Sequence, residues 1–401
     1  MRIAFVTEVW APSINGVVTR LTGTIAQLRR AGHDILVIAP RGSTVTWEPG
    51  LRVRTVPAAG VSWIYGGQRW GLPMPRVRGY LDEFQPDVVH VVNPTFLGVA
   101  GVLAARWRRL PLVCSYHTDV AAYAAYYHLG WLQPAIWWHL RNLHRVADVN
   151  LATSASAVAQ LEGQGVPRVQ LWRRGVDLDR YRPGAEPADR PPTVLYVGRL
   201  AEEKGIEALA ELTAPDRHLP ARLAGLRLVV VGDGPAREAV AEALGPHHAE
   251  LTGRLVGEPL ADAYRHADVF VFPSRTDTLG LVMLEALASG LPVVAAESPA
   301  SREVLGGCPV ARLFRPDHEG ELTAAVADIV GRSPDHAAAR AWVEGYGWAA
   351  TTAELVTLYR RAIAARVSRG RRPPRRRRLV EIGRRRLRVR VPRPVRRKVS
   401  V

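Results

Sequence analysis

Two carboxylates, Asp277 and Glu285, stand eight positions apart in the stretch TDTLGLVMLEALASGLPVVA, residues 276–295. Around Glu285 the chain reads Leu281, Val282, Met283, Leu284, Ala286, Leu287 and Ala288. A run this apolar predicts a buried helix, and a buried carboxylate requires a partner. Asp277 falls in the loop after the strand-like DVFVFPS, and Glu285 about two turns inside the helix. Gly290 stops that helix and Pro292 prevents its return. Carboxylates at a strand's carboxyl end are natural acceptors for sugar and ribose hydroxyls. That reading gives Glu285 a ligand for its partner rather than another side chain. The alternative is structural: Asp277 caps the helix and Glu285 pairs with an arginine.

A second cluster has the chemistry of phosphate binding. In VGRLAEEKGIEAL, residues 197–209, a strand ends at Val197, Gly198 permits close backbone approach, and a helix is expected from about Glu203. Arg199 and Lys204 then flank a helix start, where free N–H groups and the dipole attract anions. A bidentate guanidinium and a compact ammonium together grip a diphosphate. Composition also singles out Lys204. The chain has 54 basic residues, and only Lys204 and Lys398 are lysines. In a sequence so biased to arginine, a retained lysine marks either chance or a place where a planar guanidinium does not fit. The alternative for the cluster is a surface arginine with the lysine paired to Glu202 or Glu203.

Other candidates are single residues. Asn15-Gly16 in EVWAPSINGVVTRL (8–21) is a turn that exposes backbone N–H groups at a helix start. His117 closes the strand LVCSYH, with Asp119 two residues on as a possible partner, and its imidazole suits a substrate hydroxyl. VVVGDGPAREAV (229–240) resembles a dinucleotide turn, but position 237 is Arg where the third glycine would stand, so it reads as architecture. Asp177-Leu178-Asp179 is too short a pattern to predict a metal site. The aromatics Tyr123, Tyr126, Tyr127, Trp131, Trp137 and Trp138 are core, or line an apolar acceptor or membrane-facing groove.

These residues need elements to carry them. The 401 residues suffice for two domains. Short apolar runs (RIAFVTE, DILVIAP, DVVHVV, PLVCSYH, DVNLAT) alternate with amphipathic stretches near 16–31, 97–108, 132–146 and 154–163. The alternation restarts with TVLYVGRL, RLVVVGDG, DVFVFPS and PVVAA, with helices near 204–213, 235–244, 258–266 and 280–289. This is the α/β pattern of doubly wound parallel sheets, whose ligands bind at the strands' carboxyl ends. The expected division is 1–180, a Pro-rich linker 181–192, a second domain 193–347, a helix 348–366 that packs back across the halves, and a tail 367–401.

Charge is concentrated in that tail. The chain carries +17, and the span from Arg366 to Lys398, with sixteen Arg, one Lys and one Glu, holds +16 of it. No aromatic residue in the tail is available to stack on bases, so nucleic acid is not the expected partner. An anionic lipid surface is. The distant cysteines Cys114 and Cys308 predict no disulfide and fit a reducing cytoplasm. No apolar run is long enough to span a membrane.

In combination and in this order, INGVVTRL, SYHTD, LWRRGVD, GRLAEEKG and DTLGLVMLEALASGLPVVAA resemble the retaining GT-B glycosyltransferases of family GT4, over residues 1–365. HVVNPTFLG, LWRRGVD and FPSRTDTLGLVMLEA look most like sulfoquinovosyldiacylglycerol synthases, with GDP-mannose-dependent lipid mannosyltransferases similar too. The resemblance implies two Rossmann-like domains facing a cleft and transfer of a hexose from a nucleotide-sugar to a lipid or glycolipid hydroxyl. It implies no metal and no other cofactor, and a place on the inner face of the membrane. Gly16 would approach the donor diphosphate, and Arg199 and Lys204 would bind it. Glu285 would hold the ribose, and Asp277 and His117 would flank the sugar. Two departures stand out. Asp277 replaces the first glutamate of the family's E-x7-E motif, and ESPASREV follows PVVAA where the family often has Gly-Gly. A rival from another class, an NAD-binding oxidoreductase, shares the doubly wound pattern but lacks the full G-x-G-x-x-G.

Overall fold

The computed structural model describes residues 1–368 apart from 14, 45–46, 61–68, 73, 122–123, 125–128, 185–189, 214–218, 246–248, 278–279 and 334. The basic tail and Tyr123, Tyr126 and Tyr127 lie outside the described residues.

The described residues form sixteen strands: β1 (Arg2–Thr7), β2 (Asp34–Pro40), β3 (Trp47–Glu48), β4 (Leu51–Val56), β5 (Ala58–Gly60), β6 (Arg69–Gly71), β7 (Val88–Val92), β8 (Leu112–Tyr116), β9 (Val149–Ala152), β10 (Val169–Leu171), β11 (Thr193–Val197), β12 (Arg227–Val231), β13 (Ala249–Gly253), β14 (Val269–Phe272), β15 (Val293–Ala296) and β16 (Ala311–Phe314). They build two main sheets, in the orders β10-β9-β8-β7-β1-β2-β4-β3 and β13-β12-β11-β14-β15-β16. All their pairings are parallel except β3 against β4. Val/Ile-rich strands such as Val88–Val92 and Val293–Ala296 are buried along their whole length, because helices cover both faces. The pair β5–β6 is a separate antiparallel ribbon.

The helices are α1 (Gly16–Arg30), α2 (Arg76–Phe84), α3 (Phe96–Trp107), α4 (Gln133–His144), α5 (Ala155–Gly163), α6 (Arg237–Leu244), α7 (Glu258–Arg265), α8 (Leu281–Ala288), α9 (Pro299–Leu305), α10 (Glu321–Val330), α11 (His336–Val343) and α12 (Trp348–Ser368). One expected helix is different. Residues 204–213 form two 3-10 segments, Glu202–Lys204 and Ile206–Leu212. Gly205 between them has φ 63°, and a Cβ there would lie 2.8 Å from the Pro273 carbonyl oxygen. The chain breaks its helical course so that this turn can seat on the end of β14.

Each sheet reverses its winding once. In the first, β1 has β2 on one side and β7 on the other. In the second, β11 has β12 on one side and β14 on the other. Such switch points leave a crevice at the carboxyl ends of the two central strands. The chain then returns. Val176 and Gly347 form a bridge where it leaves the first sheet and comes back to it. From there α12 crosses onto the first domain, where Leu355, Leu358, Tyr359 and Ala362 join the core of β1, β7 and β8. It runs to Ser368, past the expected 366, because Arg366 is buried as an ion partner of Asp148, 3.6 Å away. Tyr181, expected in the linker, is instead buried in the second domain's core.

Candidate active site

The second sheet's switch point explains how residues distant in sequence meet. Arg199 and Lys204 follow β11, and Asp277 follows β14, the strand paired with it through Val194–Val269 and Leu195–Phe270. The parallel register brings the two loops side by side. Lys204 Nζ donates to Asp277 Oδ1 at 2.7 Å across 73 residues of chain. Both side chains keep partial access to solvent, at 16% and 27% exposed. Thr276 Oγ1 closes the same junction by donating to the Glu203 carbonyl at 2.8 Å. Asp277 is therefore spent on Lys204 and not on a helix cap; the α8 N-cap is Gly280, with φ 52° and no side-chain cap.

Arg199 is paired with Glu203 and is 47% exposed. Its loop is held from below by the glycine-rich turn. Gly232, with φ 150°, packs so closely on the Gly198 carbonyl that no Cβ fits. Leu200 N donates to Asp233 O, and Ala236 N to Leu200 O, each at 3.0 Å. The glycines of VVVGDGPAREAV serve this approach of two backbones, which also occupies N–H groups that a dinucleotide would need. The expected helix dipole beneath Lys204 is absent, since that turn is 3-10; side-chain charge is what the cluster offers an anion. Beside the turn a cavity of about 560 Å³ is lined by Glu202, Glu203, Glu207, Glu211, Asp317 and Arg275. Five carboxylates to one guanidinium make it no seat for a phosphate.

Glu285 corrects an expectation. It lies one turn, not two, inside α8 and is 9% exposed. Its partners here are side chains: Tyr264 Oη donates to Oε2 at 2.9 Å, and Tyr181 also hydrogen-bonds it. Burial outweighs these bonds and pushes its carboxyl up to about 7. Neither tyrosine was visible as a site residue in the sequence. Tyr264 looks like one more apolar position of the amphipathic α7, and Tyr181 opens the Pro-rich stretch. Where the family often has two glycines, this chain builds a capped helix. Ser301 N donates to Ser298 Oγ at 3.1 Å, Ser298 N to Ser301 Oγ at 2.8 Å, and Pro299 sits in the first turn of α9.

Gly16 and His117 belong to the first sheet. Gly16 opens α1, but Asn15 Oδ1 already accepts from Val17 N and Val18 N, both at 3.0 Å. The helix start is thus largely capped by its own chain. His117 follows β8 and is buried. Asn93, at φ 47°, accepts from His117 N at 2.7 Å and donates to Thr118 Oγ1 at 3.1 Å, which fixes the loop. The ring bonds Ser115 Oγ through Nε2 at 2.8 Å, while Asp119 accepts from Gln160 Nε2. Asp177 is used locally, accepting from the N–H groups of Asp179 and Arg180 in its own turn. Of the aromatics expected at a groove, Trp131 and Trp138 are strongly exposed, and Trp137 packs its ring 6.0 Å from that of Tyr116.

Residues 14–180 match Glycosyltransferase Family 4, and residues 191–332 match Glycosyl transferases group 1. A GDP-mannose-dependent alpha-mannosyltransferase of Mycolicibacterium smegmatis is 38% identical, covering 91% of this chain and 99% of its own. The sulfoquinovosyl transferase SQD2 of Arabidopsis thaliana is 31% identical, covering 85% of this chain and 70% of its own. Sucrose-phosphate synthase from Thermosynechococcus elongatus matches in structure with a TM-score of 0.69 at 21% identity, over 91% of this chain and 99% of that one. Anabaena Alr3699/HepE in complex with UDP and glucose matches with 0.68 at 17% identity, over 89% and 98%. At these identities the structural likeness speaks for the fold, which is GT-B. An oxidoreductase finds no support in these matches. Two doubly wound sheets, basic and acidic side chains joined at a switch point, and relatives aligned over nearly the whole length identify the chain as a nucleotide-sugar glycosyltransferase belonging to family 4.

Proposed function

We propose that this enzyme transfers a mannosyl unit from GDP-mannose to a hydroxyl of a glycolipid, with retention at the anomeric carbon. The observation that carries the site assignment is the 2.7 Å contact of Lys204 with Asp277, a cation and an acceptor brought to one crevice by β11 and β14. Arg199 and Lys204 receive the donor diphosphate. As the glycosidic bond breaks, negative charge grows on the departing nucleotide, and these two groups stabilise it. Their charges do the work a metal ion does elsewhere, so the reading requires no metal and no other cofactor. Asp277 holds Lys204 until the diphosphate arrives, then turns its second oxygen to the sugar hydroxyls. Glu285 takes the ribose hydroxyls on lone pairs that its tyrosines leave free. Gly16 lets the first domain's backbone approach the diphosphate, and His117 lies on the sugar's other side. With Asp277 engaged by the sugar hydroxyls, the acceptor attacks on the leaving-group face and no covalent intermediate is formed.

GDP-mannose is favoured over UDP-sulfoquinovose because the mannosyltransferase relative is more similar and matches over more of both chains. The lipid acceptor fits the exposed Trp131, 75% accessible, and Trp138. These, with the arginine-rich tail, suit peripheral contact with an anionic membrane on its cytoplasmic face. Among the described residues no helix is long and apolar enough to cross a membrane.

The test is transfer itself. The full chain is incubated with extracted membrane lipid and GDP-mannose, UDP-glucose or UDP-sulfoquinovose, and products are weighed by mass spectrometry. A hexosyl lipid formed from GDP-mannose is the expected result. Preference for UDP-sulfoquinovose would overturn the donor, and NADH binding without GDP or UDP binding would overturn the whole reading.

A further inference from the structure

His117 is the end of a chain of hydrogen bonds. Tyr359 Oη on α12 meets His90 Nδ1 at 2.7 Å. His90 Nε2 meets Ser115 Oγ at 2.8 Å. Ser115 Oγ meets His117 Nε2 at 2.8 Å. Ser115 lies near the end of β8, and His117, two residues on, follows that strand. His90 comes from the neighbouring β7, and α12 covers them. All four residues are buried. Trp172 closes the group, with its ring 5.6 Å from both imidazoles, and Arg20 stacks 3.8 Å above that ring. Arg20 donates Nη2 to the Trp172 carbonyl at 2.5 Å and the Arg173 carbonyl at 2.7 Å.

The direction of the protons follows from the far end. A buried tyrosine hydroxyl has one proton to donate, and His90 is the acceptor that Tyr359 meets. If Tyr359 donates to Nδ1, the neutral ring of His90 carries its proton on Nε2 and donates to Ser115. Ser115 then donates its own proton to Nε2 of His117, and His117 must hold its proton on Nδ1. The reverse direction would point the Tyr359 proton into an apolar helix interface. A second proton on either ring would break the sequence. The fixed charge of Arg20 acts against that: burial first, and Arg20 second, hold His90 down to about 3 and His117 well below the usual imidazole range.

We propose that Tyr359, His90 and Ser115 are positioning residues that lock His117 as the Nδ1–H tautomer, through a relay completed only when α12 is docked on the first domain. The tautomer assignment rests on the hydrogen-bond geometry of two neutral rings. Its consequence for turnover rests on the reading that His117 flanks the donor sugar.

The experiment uses the full chain labelled with ¹⁵N-histidine, with His117 assigned by its absence in His117→Gln. In the wild type, His117 should show a protonated Nδ1 and a bare Nε2. Tyr359→Phe removes the donor and keeps the ring. Ser115→Ala cuts the relay in the middle. Each should give a mixture of tautomers at His117. An even mixture halves the competent population, so kcat falls about twofold, with KM for the donor unchanged. A wild-type His117 protonated on Nε2 overturns the proposal, as does a single unchanged tautomer in either variant. If the tautomers mix and kcat does not move, the relay stands and the placement of His117 beside the sugar falls.

Discussion

Replacing Glu285 by glutamine should change how stability depends on pH, by an amount the structure sets. Burial raises the Glu285 carboxyl to about 7 from its ordinary 4.5. Between these values the folded protein binds a proton that the unfolded chain releases. The contribution to stability is therefore fully present below pH 4.5 and is lost as pH rises through 7. The shift corresponds to about 3 kcal/mol in all, most of it lost between pH 5 and pH 8. Glutamine keeps the shape and can accept from Tyr264, but has nothing to titrate. Urea unfolding of both proteins, followed by circular dichroism at pH 5 to 8 without nucleotide, isolates the effect, because all other titrations cancel in the difference. With two domains the comparison belongs to the step that unfolds the second sheet. Relative to wild type, Glu285→Gln should gain about 2 kcal/mol across that range. A difference that does not change with pH, or changes with opposite sign, refutes the account of the buried carboxyl. The same group reports on ligand. Ribose hydroxyls donating to Glu285 favour its ionised form, so GDP binding at pH 6 should release most of one proton. Calorimetry in buffers of different ionisation heat reads that release, and its absence would place the ribose elsewhere.

Lys204→Arg should lower kcat/KM at least tenfold, because a planar guanidinium cannot occupy the half-buried seat 2.7 Å from Asp277 and keep its geometry to a diphosphate; wild-type kinetics would reduce Lys204 to chance. Asp277→Asn should tighten GDP, since Lys204 loses its resident counter-charge, while kcat falls; a variant that binds GDP more weakly would sink the proposed exchange of partners. Truncation after Ser368 should abolish salt-sensitive binding to anionic vesicles and leave the unfolding midpoint in place, and retained binding would acquit the tail. Truncation after Ala365 should in addition destabilise by about 3 kcal/mol, because it strands Asp148 without the buried Arg366; equal melting of the two truncations would contradict that.

Much of the proposed site was legible because its signals are local. Arg199, Lys204, Asp277 and His117 each follow a strand, and the run of Val and Ile that ends at each is readable at short range. The glycine-rich turn was readable as architecture because it lacks its third glycine. The misreadings share one cause. Helical periodicity over 204–213 is real, but Gly205 meets the Pro273 carbonyl from another loop, and the segment becomes 3-10. Asn15-Gly16 marks a helix start correctly, yet whether its N–H groups are free depends on the rotamer of Asn15. Tyr181 sits in a stretch of linker composition and is buried because Glu285 and Tyr264 lie over it.

By itself the sequence determined the alternation of strands and helices, the two doubly wound halves, and the family. Hydrophobic period and strand-end chemistry are properties of neighbouring residues, and they survive without coordinates. Only the tertiary structure decided which of those residues touch. The parallel pairing of β11 with β14 joins Lys204 to Asp277, the crossing of α12 brings Tyr359 to His90, and the approach of α7 to α8 brings Tyr264 to Glu285. Each contact depends on sheet order and register, which side-chain pattern constrains only weakly at long range. The side chains that surround the buried carboxylate were therefore open in the chain and set only by the fold.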